Sequence, residues 1–269
     1  MRKNFFDPIP RVIAHRGDSA HFPENTLLAF KSATSMQVDV IETDVHLSKD
    51  NEVVIWHDPS LERNTNGTGR IEDHTLDELK SYDAGYTFTL DGGKTFPFRG
   101  KGVQLCTLKE ALQCCPDMCF NIDLKTKSEA LVRAFIKIIL DRNDQNRIVA
   151  ASFQLSNLKL LRKLEPSIQT SITTAEVLPL LALQKLHLLP KKTNNRHLII
   201  FQVPVRQWGI EVVTESFVKT MHNRKAIIQV WTINDEEEMK RLFRMGVDSV
   251  MTDKPALAIK VAKQLLLRT

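Results

Sequence analysis

The residues able to do chemistry in this chain stand at the ends of short apolar runs. His15 and Arg16 follow Val12-Ile13-Ala14 and precede Gly17, and Glu42 and Asp44 follow Val38-Asp39-Val40-Ile41. His57-Asp58 closes Val53-Val54-Ile55-Trp56, and Asp123 and Lys125 lie in Asn121-Ile122-Asp123-Leu124-Lys125. Imidazole exchanges protons near neutral pH. A guanidinium grips phosphate through paired hydrogen bonds, and an ammonium acts on it as a point charge. Acids two apart on a strand face the same way, and such hard oxygen donors suit Mg²⁺ or Ca²⁺. A divalent metal with two cations can stabilise charge on a phosphodiester while two imidazoles serve as general acid and base. Metal-assisted phosphodiester cleavage is therefore the chemistry this set selects. Each piece alone has a plainer reading: a solvated acidic pair on an edge strand, a buried Asp123–Lys125 ion pair, packed histidines. Their convergence at strand ends favours the site, and the run Val38 to Ile41 marks a buried strand, where unpaired carboxylates are costly.

Such placement requires a scaffold whose strand ends converge. Helix and strand patterns alternate over almost the full length. Val38 to Leu47 and Val53 to His57 are separated only by Ser48 to Glu52, too short for a parallel crossover. They predict an antiparallel hairpin turning at Lys49-Asp50-Asn51 and setting His57 roughly opposite Glu42. His46, which shares the face of Glu42 and Asp44, is expected on the rising hairpin, away from the ligand set. Pro23 and Glu24 open a helix over Leu27 to Met36 that Asn25 or Thr26 could cap. Residues 59–104 lose regularity and are punctuated by glycine, apart from a helix at Leu76 to Tyr82, and predict a loop-rich insertion, a cap or small subdomain. Alternation then resumes: helices at Leu108–Cys115, Ser128–Leu140, Leu155–Leu164, Val177–Leu189, Glu215–His222, Asp235–Met245 and from Pro255, and strands at Cys119–Lys125, Ile148–Phe153, Ile168–Thr173, Leu198–Val203, Ile227–Ile233 and Ser249–Thr252. Without the return arm of the hairpin, eight core strands remain. The expectation is a single α/β domain over 1–269, a (β/α)8 TIM barrel with its site at the strand C-terminal ends. Trp231, near such an end, could wall the pocket or be a core residue. Asp253 could orient Lys125 or cap the last helix.

The 269 residues carry a net charge of +5, too little for an extended nucleic-acid footprint. Cys106, Cys114, Cys115 and Cys119 form neither a zinc pattern nor a secreted disulfide framework, and reduced, mostly buried thiols are expected. Asp7, Pro8 and Pro10 interrupt any leader-like apolar stretch, so a soluble, cytoplasmic location is expected. Between Val177 and Ile210 there is no acid, while Lys185, Lys191, Lys192, Arg196 and Arg206 supply five positive charges. An ordinary buried barrel helix with a solvated loop is the plainer reading of 177–206. The alternative is an apolar and basic rim that touches lipid or a membrane surface.

The sequence resembles the glycerophosphodiester phosphodiesterases over nearly its whole length. The resemblance runs through His15-Arg16-Gly17, Glu24-Asn25-Thr26, Glu42-Thr43-Asp44, His57-Asp58, Thr75-Leu76-Asp77-Glu78-Leu79 and Asp83-Ala84-Gly85. It continues through Asp123-Leu124-Lys125, Ser152-Phe153, Trp231-Thr232-Ile233-Asn234, Gly246-Val247-Asp248 and Thr252-Asp253. It implies a barrel with a family insertion, His15 and His57 as acid–base pair, Glu42, Asp44 and Asp123 as metal ligands, and Arg16 and Lys125 on the phosphate. By the same analogy a substrate glycerol hydroxyl attacks phosphorus first. Asp123 stands where many members carry Glu, a shorter arm to the metal; Cys106 stands for a common Pro, and Ser249 for a frequent Gly. The implied reaction is hydrolysis of glycerophosphodiesters to sn-glycerol 3-phosphate and an alcohol. The alternatives are a lysophospholipase D and a non-catalytic phosphate- or lipid-binding barrel, against which the two histidines and three acids argue.

Overall fold

The structure, a computed structural model, describes residues 4–185, 188 and 198–267. Lys191, Lys192 and Arg196 of the basic segment lie outside the described residues.

Eight parallel strands make the barrel. In chain order the elements begin with β1 (Val12–His15), α1 (Leu27–Ser35), β2 (Val40–Leu47), β3 (Val53–Ile55), α2 (Leu76–Ser81), β4 (Cys106–Thr107), α3 (Leu108–Cys114) and β5 (Cys119–Leu124). There follow α4 (Glu129–Arg142), β6 (Ile148–Ala151), α5 (Leu155–Leu164), β7 (Gln169–Thr170), α6 (Thr174–Lys185), β8 (Ile200–Pro204), β9 (Arg206–Gln207) and β10 (Ile210–Glu211). The chain closes with α7 (Glu215–His222), β11 (Ile227–Trp231), α8 (Glu236–Met245), β12 (Ser249–Thr252) and α9 (Pro255–Gln264). The strand order is β7-β6-β5-β2-β1-β12-β11-β8. At the seam between β7 and β8 the Ile172 N–H donates to the Ile200 carbonyl at 3.0 Å, completing the (β/α)8 barrel.

The helix starts are written into the sequence. Thr26 caps α1, Thr75 with Glu78 and Thr107 with Glu110 form capping boxes on α2 and α3, and Asp235 caps α8 ahead of three glutamates in its first turn. Each satisfies amide donors that the first helical turn leaves open. The strands are apolar on both faces, one packed under the helices and the other filling the barrel: in β6, Ile148, Val149 and Ala150 are wholly buried, Val149 among the other strands.

The hairpin pairs β2 with β3 antiparallel, Val45 opposite Ile55. That register, with Leu47 opposite Val53 and the Trp56 N–H donating to the Asp44 carbonyl at 3.0 Å, is centred on Asp50 and carries His57 across from Thr43, one residue off the expected Glu42. Residues 59–104 pack a cluster of their own, in which Leu61, Ile71, Leu79 and Val103 gather against Val54 and Trp56 of the hairpin. Two short pairings carry no periodicity to read in the sequence, β4 against β3 and the ribbon β9–β10. The expected strand Ile168 to Thr173 shrinks to β7, and helix α6 starts earlier than expected, at Thr174. All four cysteines are free, three of them buried. Among the described residues no helix is long and apolar enough to cross a membrane.

Candidate active site

β1 ends at His15 and the chain turns at once. Arg16 has φ +57° and Gly17 φ +84°. A Cβ on Gly17 would sit 2.7 Å from the carbonyl carbon of Ala29, so glycine alone lets α1 approach this turn. Seven strand ends later the barrel closes and β12 delivers Asp253 beside β1. His15 Nδ1 lies 2.6 Å from Asp253 Oδ1. Asn234 donates to the other carboxylate oxygen at 2.6 Å. Asn234 is itself fixed, its oxygen accepting from the Thr252 hydroxyl and the Asp253 N–H at 2.9 Å each. Asp253 thus orients His15, in place of the two roles the sequence left open, orienting Lys125 or capping the last helix, whose N-cap is Lys254.

The second histidine is built locally. His57 Nδ1 lies 2.6 Å from Oδ1 of its neighbour Asp58. His46, on the hairpin as expected, is buried, with Nε2 3.1 Å from the His57 carbonyl and Nδ1 3.0 Å from the Thr126 hydroxyl. Each of these two imidazoles therefore has a carboxylate on Nδ1, which leaves Nε2 able to exchange a proton. Burial lowers the His15 pKa, but Asp253 and Glu42 outweigh it and leave the ring raised. Burial also lowers His57, and Lys125 and Arg16 push the same way, so that ring ends below its ordinary value despite Asp44.

β2 and β5 run side by side with Glu42 opposite Asn121 and Asp44 opposite Asp123, so the acids meet inside the barrel. Lys125 Nζ bridges them, 2.9 Å from Asp44 Oδ1 and 3.0 Å from Asp123 Oδ2. Arg16 donates its backbone N–H to Glu42 at 3.1 Å and Nη1 to Glu24 at 2.8 Å, and its Nε is 3.4 Å from Asp44. Asn25, buried at φ +57°, donates to Asp44 Oδ2 at 2.9 Å and accepts from Thr43 at 2.7 Å. Burial and the nearby Asp44 charge push Glu42 up to about 7. Lys125 and Arg16 outweigh burial and hold Asp44 low. Burial raises Asp123.

Among the described residues no three His, Cys, Asp or Glu side chains stand as a ready metal cluster. The donor chemistry nonetheless fits a hard dication. Asp123 Oδ1 is buried without a hydrogen-bond partner, and Glu42 and Asp123 are two carboxyls whose burial calls for a further positive charge.

All eight side chains singled out in the sequence, His15, Arg16, Glu42, Asp44, His57, Asp123, Lys125 and Trp231, line one cavity of about 190 Å³ at the C-terminal mouth of the barrel. Glu24 and Arg63 complete the network. Arg63 donates to Glu24 at 2.7 Å and to Asp58, joining the Arg16 side of the cavity to the His57 side. Of the supporting residues only Asp58, adjacent to its histidine, carries a sequence signal for its role.

Comparison with known proteins agrees with this geometry. Residues 15–257 match the glycerophosphoryl diester phosphodiesterase family. A glycerophosphodiester phosphodiesterase of Caldanaerobacter subterraneus subsp. tengcongensis is 30% identical over 94% of this chain and 98% of its own. The lysophospholipase D GDPD1 of Homo sapiens is 27% identical over 92% of this chain and 84% of its own. A phosphodiesterase of Oleispira antarctica, solved with the product sn-glycerol-3-phosphate, superposes with a TM-score of 0.74 at 27% identity, over 97% of this chain and all of that one. The carboxylate-backed histidines and the acid–cation cluster thus sit in an enzyme that belongs to the glycerophosphoryl diester phosphodiesterase family.

Proposed function

We propose that the enzyme hydrolyses glycerophosphodiesters to sn-glycerol 3-phosphate and an alcohol, that it requires a divalent metal, and that His15 and His57 move the protons. The observation that carries this reading is the pair of imidazoles, each tied through Nδ1 to its own carboxylate at 2.6 Å, in one cavity with Arg16 and Lys125. The two cations hold the phosphodiester and offset its charge as phosphorus is attacked. One imidazole takes the proton of the attacking hydroxyl, and the other gives a proton to the departing alkoxide. Asp253 and Asp58 hold each ring in the tautomer that leaves Nε2 working and stabilise the imidazolium that forms. Glu42, Asp44 and Asp123 would hold Mg²⁺ or Ca²⁺; when bound, the ion supplies Lewis-acid stabilisation of a phosphoryl oxygen. The product bound by the Oleispira antarctica enzyme supports the substrate class.

The test is turnover of glycerophosphocholine by His15→Ala and His57→Ala, each expected to lose about 10²-fold to 10⁴-fold. Unchanged turnover in either variant removes that histidine from the reaction and revives the reading as a binding barrel. For the metal, excess chelator abolishes activity and add-back of Mg²⁺ or Ca²⁺ restores it; full activity in chelator overturns the metal requirement.

A further inference from the structure

His46 is 5% exposed and has no place in the lining of the catalytic cavity, yet both of its ring nitrogens hold the ends of strands that carry the site. It stands one residue before the end of β2, where β3 and β5 flank that strand. Both neighbours leave β2 at this height. On one side the Trp56 N–H donates to the Asp44 carbonyl at 3.0 Å, and on the other the Lys125 N–H donates to the Val45 carbonyl at 3.1 Å. His57 and Thr126 come next in each chain direction. The His46 ring reaches both, with Nε2 3.1 Å from the His57 carbonyl and Nδ1 3.0 Å from the Thr126 hydroxyl.

These partners fix the ring protons. A carbonyl only accepts, so Nε2 carries the hydrogen and donates it to His57. Nδ1 is then a bare lone pair, and the Thr126 hydroxyl donates to it. The neutral ring meets both partners with no polar atom left over, as a group this deeply buried requires. The two bonds differ in what they hold. Thr126 is secured independently, because the Asn157 amide donates to its carbonyl at 2.8 Å. Asn157 is itself 3% exposed and accepts from the Ser128 N–H at 3.3 Å. His57 stands two residues beyond the end of β3, and its ring is held at Nδ1 by Asp58. The strut formed by His46 therefore runs from a fixed point past the end of β5 to a residue just past its own strand.

We propose that His46 is a positioning residue: it ties the main chain of His57 to the strand end that presents Lys125, and so sets the imidazole against the cation that holds the phosphodiester. The proposal rests on the catalytic reading above. Proton transfer demands that the reacting atoms lie within hydrogen-bond reach, and a misplacement of about 1 Å can cost about 10²-fold in rate. Lys125 keeps its place without the ring, because its N–H is bonded to Val45 and its ammonium to Asp44 and Asp123. His46 thus governs kcat and not the hold on phosphate, and of its two bonds the one from Nε2 carries that role.

The experiment divides the ring in two. His46→Gln reaches as far as Nε2 and keeps a donor for the His57 carbonyl, whereas His46→Asn reaches only as far as Nδ1 and keeps an acceptor for Thr126. His46→Phe fills the space and keeps neither. With glycerophosphocholine as substrate, the glutamine variant is expected within about threefold of the parent kcat, the asparagine and phenylalanine variants to lose about 10-fold to 10²-fold, and KM to change by less than about threefold in all three. A merely structural ring would order the variants by stability instead, since glutamine and asparagine each give up one buried bond and should melt alike. Equal kcat in those two, asparagine ahead of glutamine, or kcat that follows melting temperature across the set overturns the proposal. Nitrogen NMR gives a readout without turnover. The parent His46 should show a protonated Nε2 and a bare Nδ1, and the His57 ring signals should persist in the glutamine variant and shift or broaden in the asparagine variant. A proton on Nδ1 alone, or His57 signals that are the same in every variant, overturns the proposal equally; the parent spectrum and the glutamine variant decide it even where asparagine prevents folding. If His57→Ala leaves turnover unchanged, the catalytic reading fails, and the NMR comparison then tests the positioning by itself.

Discussion

Asparagine in place of aspartate at position 253 keeps the shape of the side chain, reverses its hydrogen bond with His15 and removes the acceptor of the Ser19 hydroxyl, 3.0 Å from the same oxygen. Asn234 cannot turn over to accommodate it, because its oxygen already accepts from the Thr252 hydroxyl and the Asp253 N–H at 2.9 Å. Its Nδ2 must therefore go on donating toward the Oδ2 position of residue 253, 2.6 Å away. The new amide has to place its own oxygen there and its NH2 against His15 Nδ1, now 2.6 Å from a carboxylate oxygen. Nδ1 becomes an acceptor and the ring proton moves to Nε2. As a base His15 then has no lone pair facing the substrate, and as an acid it can no longer be protonated without opposing two donors. A swap of this kind in a Ser-His-Asp triad costs about 10⁴ in kcat. Asp253→Asn is accordingly expected to lower kcat by about 10³-fold to 10⁴-fold, about 4–5.5 kcal/mol of barrier, with little change in KM because Arg16 and Lys125 are untouched. Asp253→Ala, which lets water accept from Nδ1–H, should retain more activity than the asparagine variant despite removing more of the side chain. The assay is glycerophosphocholine turnover, with nitrogen NMR of the His15 ring to read the tautomer. An asparagine variant within about threefold of the parent enzyme would refute the reasoning.

Three further outcomes follow from packing and charge. Gly17→Ala puts a methyl 2.7 Å from backbone of α1 at φ +84°; it should cost about 2–5 kcal/mol in urea melts and reduce kcat/KM by displacing the His15-Arg16 turn, and unaltered stability would contradict the close approach. Arg147 is 1% exposed and donates to the Met118 carbonyl at 2.6 Å and to Asp144 at 2.7 Å; Arg147→Met should lose about 3–5 kcal/mol at neutral pH. Burial alone would raise Asp144, but Arg147 and Arg142 hold it below its ordinary value. A depressed folded pKa gives stability that is present above the unfolded value, about 3.9, and lost as pH falls through the folded one. The Arg147→Met deficit should therefore shrink below about pH 4, and an equal deficit at both pH values argues against the pair. Finally, burial raises Cys106 and pushes Cys115 up to about 11, so native enzyme at mildly alkaline pH should leave both unalkylated by mass spectrometry, whereas unfolded enzyme labels at all four cysteines; rapid native labelling of Cys106 would sink this.

What the sequence discloses here depends on whether the determining contact is local. Apolar runs such as Val12-Ile13-Ala14 become strands because both their faces are buried, Val12 and Ala14 under the helices and Ile13 among the other strands inside the barrel, and the polar residue that ends each run lands at the barrel mouth. This makes His15, Glu42, Asp44, Asp123 and Lys125 readable together. The hairpin is legible for the same reason, to within one residue of register. His46 stands on the hairpin where the alternation puts it, and only the return of β3 shows its contact with the His57 carbonyl. Asp253 is 238 residues from His15, and their contact exists only once β12 pairs with β1. The two-residue strands β9 and β10 have no period at all, so the apolar cavity of about 300 Å³ that they help enclose with α6 is invisible until the helix is in place.

The two imidazoles consequently stand on different kinds of support. His15 depends on closure of the barrel, since its carboxylate arrives on the last strand and is held by Asn234 from the loop after β11. His57 depends on the insertion, since Asp58 is gripped by Arg63, and Arg63 also grips Glu24 at 2.7 Å. Glu24 in turn receives Arg16 at 2.8 Å. Glu24 is thus shared between Arg16 and the Arg63 that grips Asp58 beside His57. Any phosphate that draws Arg16 toward itself weakens the pull of Arg16 on Glu24 and leaves that carboxylate more fully to Arg63. Residues 59–104 contribute no side chain to the catalytic cavity lining, yet through Arg63 they tie the phosphate side of the site to the His57 side. Through Arg63 the insertion is joined by this chain of charges to both Asp58 and Arg16.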